Sequence, residues 1–201
     1  MNKSLNLKWN LTQTINEPWA YAQIFDDEEV QKIIELGSNG KDSTELSAGS
    51  LENNKTNLNI RTSEVSFLKS DSENNEWIFR KLTNAVVEVN KQFFQFDLTE
   101  IESLQFTIYT GDLNGFYTKH VDTGFKFSGN PRKLSFSVQL SDPDSYDGGD
   151  LLLHYQHEPV KAKREKGSIN FFPSYTLHEV TPVTKGIRYS LVGWVQGPAF
   201  K

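Results

Sequence analysis

The chain has no cysteine, a single methionine and only four histidines among its 201 residues. Without thiols there is no disulfide, no zinc-thiolate or iron-sulfur site and no thiol nucleophile, so any metal must be held by His, Asp, Glu or water. No apolar run is long enough for a signal peptide or a membrane span, which sets a cytoplasmic location as the expectation. Basic clusters are scarce too. Nothing exceeds Lys161-x-Lys163-Arg164 with Lys166, and the net charge is -5, a balance that argues against nucleic acid as a partner.

What is present falls into two halves. A chain of this length buries roughly 70% of its unfolded surface and needs no staples. Residues 19–25 are aromatic and apolar enough for a strand, and Asp26 then offers a helix N-cap with Glu29 at capping-box spacing. Val30, Ile33, Ile34 and Leu36 give that helix its apolar stripe, and Gly37 with Ser38-Asn39-Gly40 reads as its stop. Residues 38–57 are polar and aperiodic, which predicts a long loop with the character of a lid. A strand is expected over 59–68 and a second helix over 73–94, where apolar residues recur at three and four.

From residue 97 onward the pattern becomes short strand-like runs separated by Gly, Pro, Asn and Asp. Candidate strands lie at 101–109, 115–122, 133–140, 150–154, 168–172, 176–180 and 188–195. The expected fold class is mainly β with flanking α-helices, a double-sheet jelly roll buttressed on one side by N-terminal helices. With no internal repeat and no linker, residues 1–201 read as one domain, with 1–96 as helical support and 97–201 as the β core.

Chemistry concentrates at three places. His120 and Asp122 are two apart, so on a strand they share a face while Val121 turns away. His178, in an aromatic and proline-rich stretch, is the best third ligand. Two imidazoles and one carboxylate suit non-haem Fe(II), because three protein ligands leave adjacent positions open. Ten residues past His178 comes Arg188, alone in an otherwise apolar strand. A guanidinium buried there is costly unless it meets an anion, and its planar fork matches a carboxylate. The plainer readings are an internal ion pair for Arg188 and ordinary hydrogen-bonded roles for the other three. His154, His157 and Glu158 invite a second metal, but their spacing points them apart and solvent-facing histidines are the default. The 161–166 run reads as a solvated hairpin tip.

Three segments carry a resemblance to a known family: Gly115-Phe-Tyr-Thr-Lys-His-Val-Asp122, the stretch from Arg132 to Leu151, and Phe172-Pro-Ser-Tyr-Thr-Leu-His-Glu-Val-Thr-Pro-Val-Thr-Lys-Gly-Ile-Arg188. They resemble the Fe(II)- and 2-oxoglutarate-dependent dioxygenases of the prolyl 4-hydroxylase type, and among them the bacterial and phage PKHD-type hydroxylases. The resemblance implies a double-stranded β-helix, the cupin-like jelly roll, in which His120, Asp122 and His178 bind iron and Arg188 binds the distal carboxylate of 2-oxoglutarate. It further implies that Tyr109 contacts that carboxylate and that Tyr117, Arg132 and Trp194 contact the substrate. Dioxygen is the second cosubstrate, L-ascorbate the reductant, and a proline-containing peptide or protein the partner.

The chain departs from the prolyl 4-hydroxylases in places. Asp150-Leu151 follows the glycine pair where others have threonine, the distal cation is Arg where Lys is frequent, and Gln196 stands where some place histidine. Two alternatives remain at this stage. One is hydroxylation of a free amino acid or other small molecule, and the other a metal-binding cupin-like barrel without oxygenase activity.

Overall fold

The computed structural model describes residues 18–49, 57–123 and 130–199. In chain order its elements are β1 (Ala20–Gln23), α1 (Asp27–Ser38), β2 (Ser47–Ala48), β3 (Arg61–Thr62), β4 (Glu64–Leu68), α2 (Glu76–Val89), β5 (Glu100–Thr110), β6 (Phe116–His120) and β7 (Arg132–Gln139). They continue with β8 (Tyr146–Gly148), β9 (Leu151–His154), β10 (Val160–Lys161), β11 (Ser168–Pro173), β12 (Leu177–Val180) and β13 (Val183–Gln196). The fold is mostly β. One sheet runs β1-β11-β7-β13-β5-β4-β2 with β8 added on β13, and the other runs β10-β9-β12-β6-β3. Within these sheets the eight strands β5–β7 and β9–β13 pair antiparallel in two groups of four, a jelly-roll arrangement.

Alternation along the strands explains how the larger sheet serves two surroundings. On β7, Leu134, Phe136 and Val138 join a buried apolar cluster, while Ser135, Ser137 and Gln139 turn to the other face. On β5, Leu104, Phe106 and Ile108 join the same cluster and Gln105, Thr107 and Tyr109 face away from it. Val30, Ile33 and Leu36 of α1 and Ile78, Leu82 and Val86 of α2 belong to that cluster. A second cluster between the sheets holds Leu151, Leu153, Phe172, Val180 and Val183.

Local chemistry accounts for the helices. Asp26 accepts from the Glu29 amide at 2.9 Å and Glu29 returns a bond to the Asp26 amide at 3.0 Å, closing the capping box. The helix ends at Ser38, one residue past Gly37, and Gly40, at φ +69°, takes the left-handed turn as part of the expected stop. Gly37 itself makes room for the Phe106 ring, which a Cβ there would meet. The Gly37 carbonyl is held by the Ser66 hydroxyl at 2.6 Å and the Ser43 hydroxyl at 3.2 Å. α2 is shorter than expected and passes into a π turn over Asn90–Phe94, with Gln95 in the left-handed region at φ 53°. The Asn90 side chain closes that turn on the Phe96 amide and carbonyl at 3.0 and 2.9 Å.

Two expectations need correction. The 38–57 segment is not a free loop over its described part. Ser47 and Ala48 pair with Val65 and Glu64, the Thr44 amide donates to the Phe67 carbonyl at 2.9 Å, and Ser43 bridges Leu68. An edge strand is held by backbone bonds with its side chains exposed, so it leaves no apolar periodicity to read. Residues 50–56, the rest of the proposed lid, lie outside the described residues. The 161–166 run is not a solvated tip either. Arg164 donates to Asp150 at 2.9 Å and to the carbonyls of Gly148, Pro143 and Tyr146, with its guanidinium 4.2 Å over the Tyr146 ring. Lys161 also reaches Asp150, and Lys166 pairs with Asp27. Among the described residues no helix is long and apolar enough to cross a membrane.

Candidate metal and cosubstrate site

His120 ends β6 and His178 lies directly across from it on β12, so the pairing register sets their rings side by side, 4.1 Å between centroids. Asp122 stands beyond the end of β6, in a bend, and strand alternation is not what aims it. Its amide and that of Thr123 both donate to the Ser174 carbonyl, at 2.8 and 3.1 Å. Its carboxylate accepts from the Ser135 hydroxyl at 2.8 Å, and Ser135 in turn shares a bond with the Ser174 hydroxyl at 2.9 Å. Both serines are completely buried. Asp122 is therefore held from β7 and from the turn between β11 and β12.

The hydrogen bonds assign the protons. His120 Nδ1 lies 2.8 Å from the Thr118 carbonyl and His178 Nδ1 2.9 Å from the Thr176 carbonyl. A carbonyl only accepts, so both Nδ1 atoms carry a hydrogen, and each ring in its neutral form presents a bare Nε2. These face Asp122, His120 at 3.7 Å from Oδ1 and His178 at 3.5 Å from Oδ2. Burial, reinforced by His178, pushes the His120 imidazole down to about 4. For Asp122, burial pushes the carboxyl up, but the two histidines and the Ser135 bond outweigh it and hold it below the usual carboxylate range. The three ligand atoms lie within 4.8 Å of one another, and with both imidazoles neutral their lone pairs suit a cation. Two nitrogens and an oxygen fit a non-haem metal of the Fe(II) class.

The triad opens on a cavity of about 460 Å³ between the sheets. Arg188 sits on its wall, 2% exposed, on β13 across from Tyr109 on β5, its guanidinium 5.4 Å from the Tyr109 ring centre. Its partners are neutral: the Gln139 amide oxygen at 3.1 Å and, at a long 3.4 Å, the Ser190 hydroxyl, while Nε has none. Among the described residues no carboxylate comes within ion-pair distance of it. A buried cation so arranged suits an anion entering from the cavity.

All eight residues singled out from the sequence line this one cavity. Tyr117 stacks on His120 with 3.6 Å between ring centres and 18° between planes. Arg132 lies 4.0 Å over the Trp194 ring and binds Glu102 through two bonds of 2.6 and 2.8 Å, with Gln196 also donating to Glu102 at 3.1 Å. His154 lies elsewhere, bonded to Glu179 at 2.9 Å, and His157 is exposed. Neither belongs to a metal cluster among the described residues.

Sequence reading missed Ser135, Gln139 and Arg61. The first two had a signal: Ser135-x-Ser137-x-Gln139 puts polar residues at period two in a buried strand. Arg61 had none, since it precedes Asp122 by 61 residues in a two-residue strand and enters the cavity by pairing with Tyr117.

Comparison with known proteins agrees with this geometry. Residues 104–196 match the model of the 2OG-Fe(II) oxygenase superfamily. The chain is 40% identical over 99 residues to a PKHD-type hydroxylase of Synechococcus elongatus, covering 48% of this chain and 44% of that protein. It is 42% identical over 83 residues to a PKHD-type hydroxylase of Hyphomonas neptunium, covering 40% and 37%. The aligned region thus spans less than half the length of these relatives.

Among solved structures, a Pseudomonas putida prolyl-4-hydroxylase superposes with a TM-score of 0.72 at 19% identity, covering 92% of this chain and 95% of that one. A Trichoplax adhaerens prolyl hydroxylase, in complex with a hypoxia inducible factor peptide fragment, gives 0.73 at 18%, covering 90% and 84%. At such identities the likeness is one of fold. Over residues 104–196, the part that carries His120, Asp122, His178 and Arg188, the chain is similar to the 2OG-Fe(II) oxygenase superfamily.

Proposed function

We propose that the protein is an Fe(II)- and 2-oxoglutarate-dependent dioxygenase that hydroxylates a prolyl residue of a peptide or protein, converting 2-oxoglutarate to succinate and carbon dioxide. One observation carries the reading: the ligand atoms of His120, Asp122 and His178 converge on one side of a cavity whose wall holds a buried arginine with no counter-charge among the described residues. His120, Asp122 and His178 would hold the metal, and Arg188, with Tyr109 and Gln139 beside it, the distal carboxylate of the cosubstrate. Iron with 2-oxoglutarate and dioxygen would supply the oxidation of an unactivated C–H bond, and L-ascorbate as reductant would keep the iron in the Fe(II) state.

The chain's own share is geometry and exclusion of water. The Nδ1 bonds to Thr118 and Thr176 fix the tautomer and the aim of each imidazole. Ser135 and Ser174 fix the carboxylate, and the Tyr117 ring covers His120. Tyr117 and Trp194 give the cavity an aromatic lining suited to a proline ring, and Arg132 steadies Trp194 from above. The same reading takes residues 1–201 as one domain with α1 and α2 buttressing the β core. Purified protein supplied with Fe(II) and a proline-containing peptide should convert 2-oxoglutarate to succinate and add one oxygen to the peptide, and His178→Ala should abolish both. Turnover that survives that change would sink the assignment, and oxygen found on lysine would overturn the substrate.

A further inference from the structure

The cavity holds a second arginine that the triad and the cosubstrate site do not use. Arg61, on β3, is 5% exposed and lines the cavity. Its Cα partner across the strand pair is Tyr117, so the two side chains project together, and the guanidinium lies 4.7 Å over the Tyr117 ring whose other neighbour is His120. Nε donates to the Ser63 hydroxyl at 2.7 Å. Among the described residues the terminal nitrogens have no hydrogen-bond partner and no carboxylate lies within ion-pair distance. Gly49 closes the far side: a Cβ there would stand 2.6 Å from Nε, so the backbone of the edge segment packs straight onto the guanidinium. Tyr117 cannot supply the counter-charge, because a phenol is neutral at physiological pH.

Charge balance points the same way. The described residues lining the cavity include three arginines, Arg61, Arg132 and Arg188, against two carboxylates, Glu102 and Asp122. One positive charge is left over. Arg132 is satisfied by Glu102, and a divalent metal and a dicarboxylate cosubstrate cancel each other, so the excess remains and sits at Arg61. A guanidinium held in a site of low dielectric, with donors free and an aromatic ring fixing its plane, binds a carboxylate through paired charge-assisted bonds.

Resting on the 2-oxoglutarate-dependent hydroxylation proposed above, though not on its substrate being a peptide, we propose that Arg61 receives a carboxylate of the substrate and makes the enzyme select a target whose reacting carbon lies beside a negative charge. That carboxylate belongs to an acidic side chain next to the target residue or to the α-carboxylate of a free amino acid. The two sources share one chemistry and are separated by the probes.

Binding to full-length protein loaded with Mn(II) and 2-oxoglutarate, measured by titration calorimetry, tests the assignment. One probe pair is L-proline against L-prolinamide. The other is the blocked peptide acetyl-Gly-Pro-Asp-Gly-amide against its asparagine analogue. The carboxylate member of at least one pair should bind about tenfold tighter, and the pair that responds names the source. Arg61→Gln should erase that preference, and Arg61→Lys, which keeps the charge but loses the planar fork, should cut it severalfold. Absence of a carboxylate preference in both pairs, whether all four probes bind alike or none binds, overturns the proposal. So does a preference that either variant leaves unchanged. Failure of Mn(II) and 2-oxoglutarate to stabilise the wild type is a separate result and refutes the underlying function instead.

Discussion

His120 shows what burial does to a single side chain here. Its imidazole titrates at 6.5 when unperturbed and at about 4 in the fold, chiefly because of burial. Between those values the unfolded chain takes up a proton that the folded chain refuses, so stability is complete above about pH 6.5 and declines as the pH falls toward 4. At about 1.4 kcal/mol for each unit, the loss is on the order of a few kcal/mol. Asp122 adds to it at lower pH, since a carboxyl held below its usual range stabilises the fold while ionised and ceases to do so once protonated. Guanidinium unfolding of metal-free protein at pH 7, 5.5 and 4 should show the decline, and His120→Asn should flatten it above pH 4. An unchanged slope in the variant would show that the proton is taken up elsewhere. That this residue can ligate a metal was readable from His-x-Asp, but its tautomer was not, because the Thr118 carbonyl that decides it is placed by the course of the backbone.

Among the elements, α1 separates what is local from what is not. Its start was legible because a capping box needs only residues three apart, and the Asp26 and Glu29 side chains close it as expected. Its end lies within one residue of the expected place, but the second task of Gly37 was not legible, since it makes room for Phe106, a residue on β5. In an isolated helix Gly→Ala gains about 1 kcal/mol. Here Gly37→Ala should instead cost about 1–3 kcal/mol, since Phe106 is fully buried and cannot give way. Denaturant midpoints of the two proteins decide the sign, and a stabilised variant would mean that helix and sheet part more easily than the packing implies. β2 was missed for a related reason: the backbone bonds to β4 that define it leave no mark on the side-chain pattern. Arg164 looked like surface charge because nothing nearby in the chain reveals the three carbonyls and the aspartate it binds.

For the molecule as a whole, a site built from both sheets ties ligand binding to the global fold. Residues of β3, β5, β6, β7, β12 and β13 all border the cavity. Anything that binds there and not to the unfolded chain stabilises it by mass action, about 2.7 kcal/mol at a hundredfold excess over Kd. For a chain of this size that is roughly 5–10 °C in Tm. Mn(II) with 2-oxoglutarate should produce such a shift, EDTA should reverse it, and Arg188→Ala should remove the part due to 2-oxoglutarate while keeping the part due to the metal. A shift that Arg188→Ala leaves whole would place the cosubstrate elsewhere.

The sequence by itself determined the residue types that can meet a metal and a carboxylate, the mainly β second half and the start of α1, because these depend on neighbours a few positions apart. Only the tertiary structure decided that His178 stands opposite His120, that Ser135 holds Asp122 and that Arg61 reaches the same cavity. Strand alternation says which side chains share a face, whereas the register between strands distant in the chain is chosen by the packing of both sheets at once.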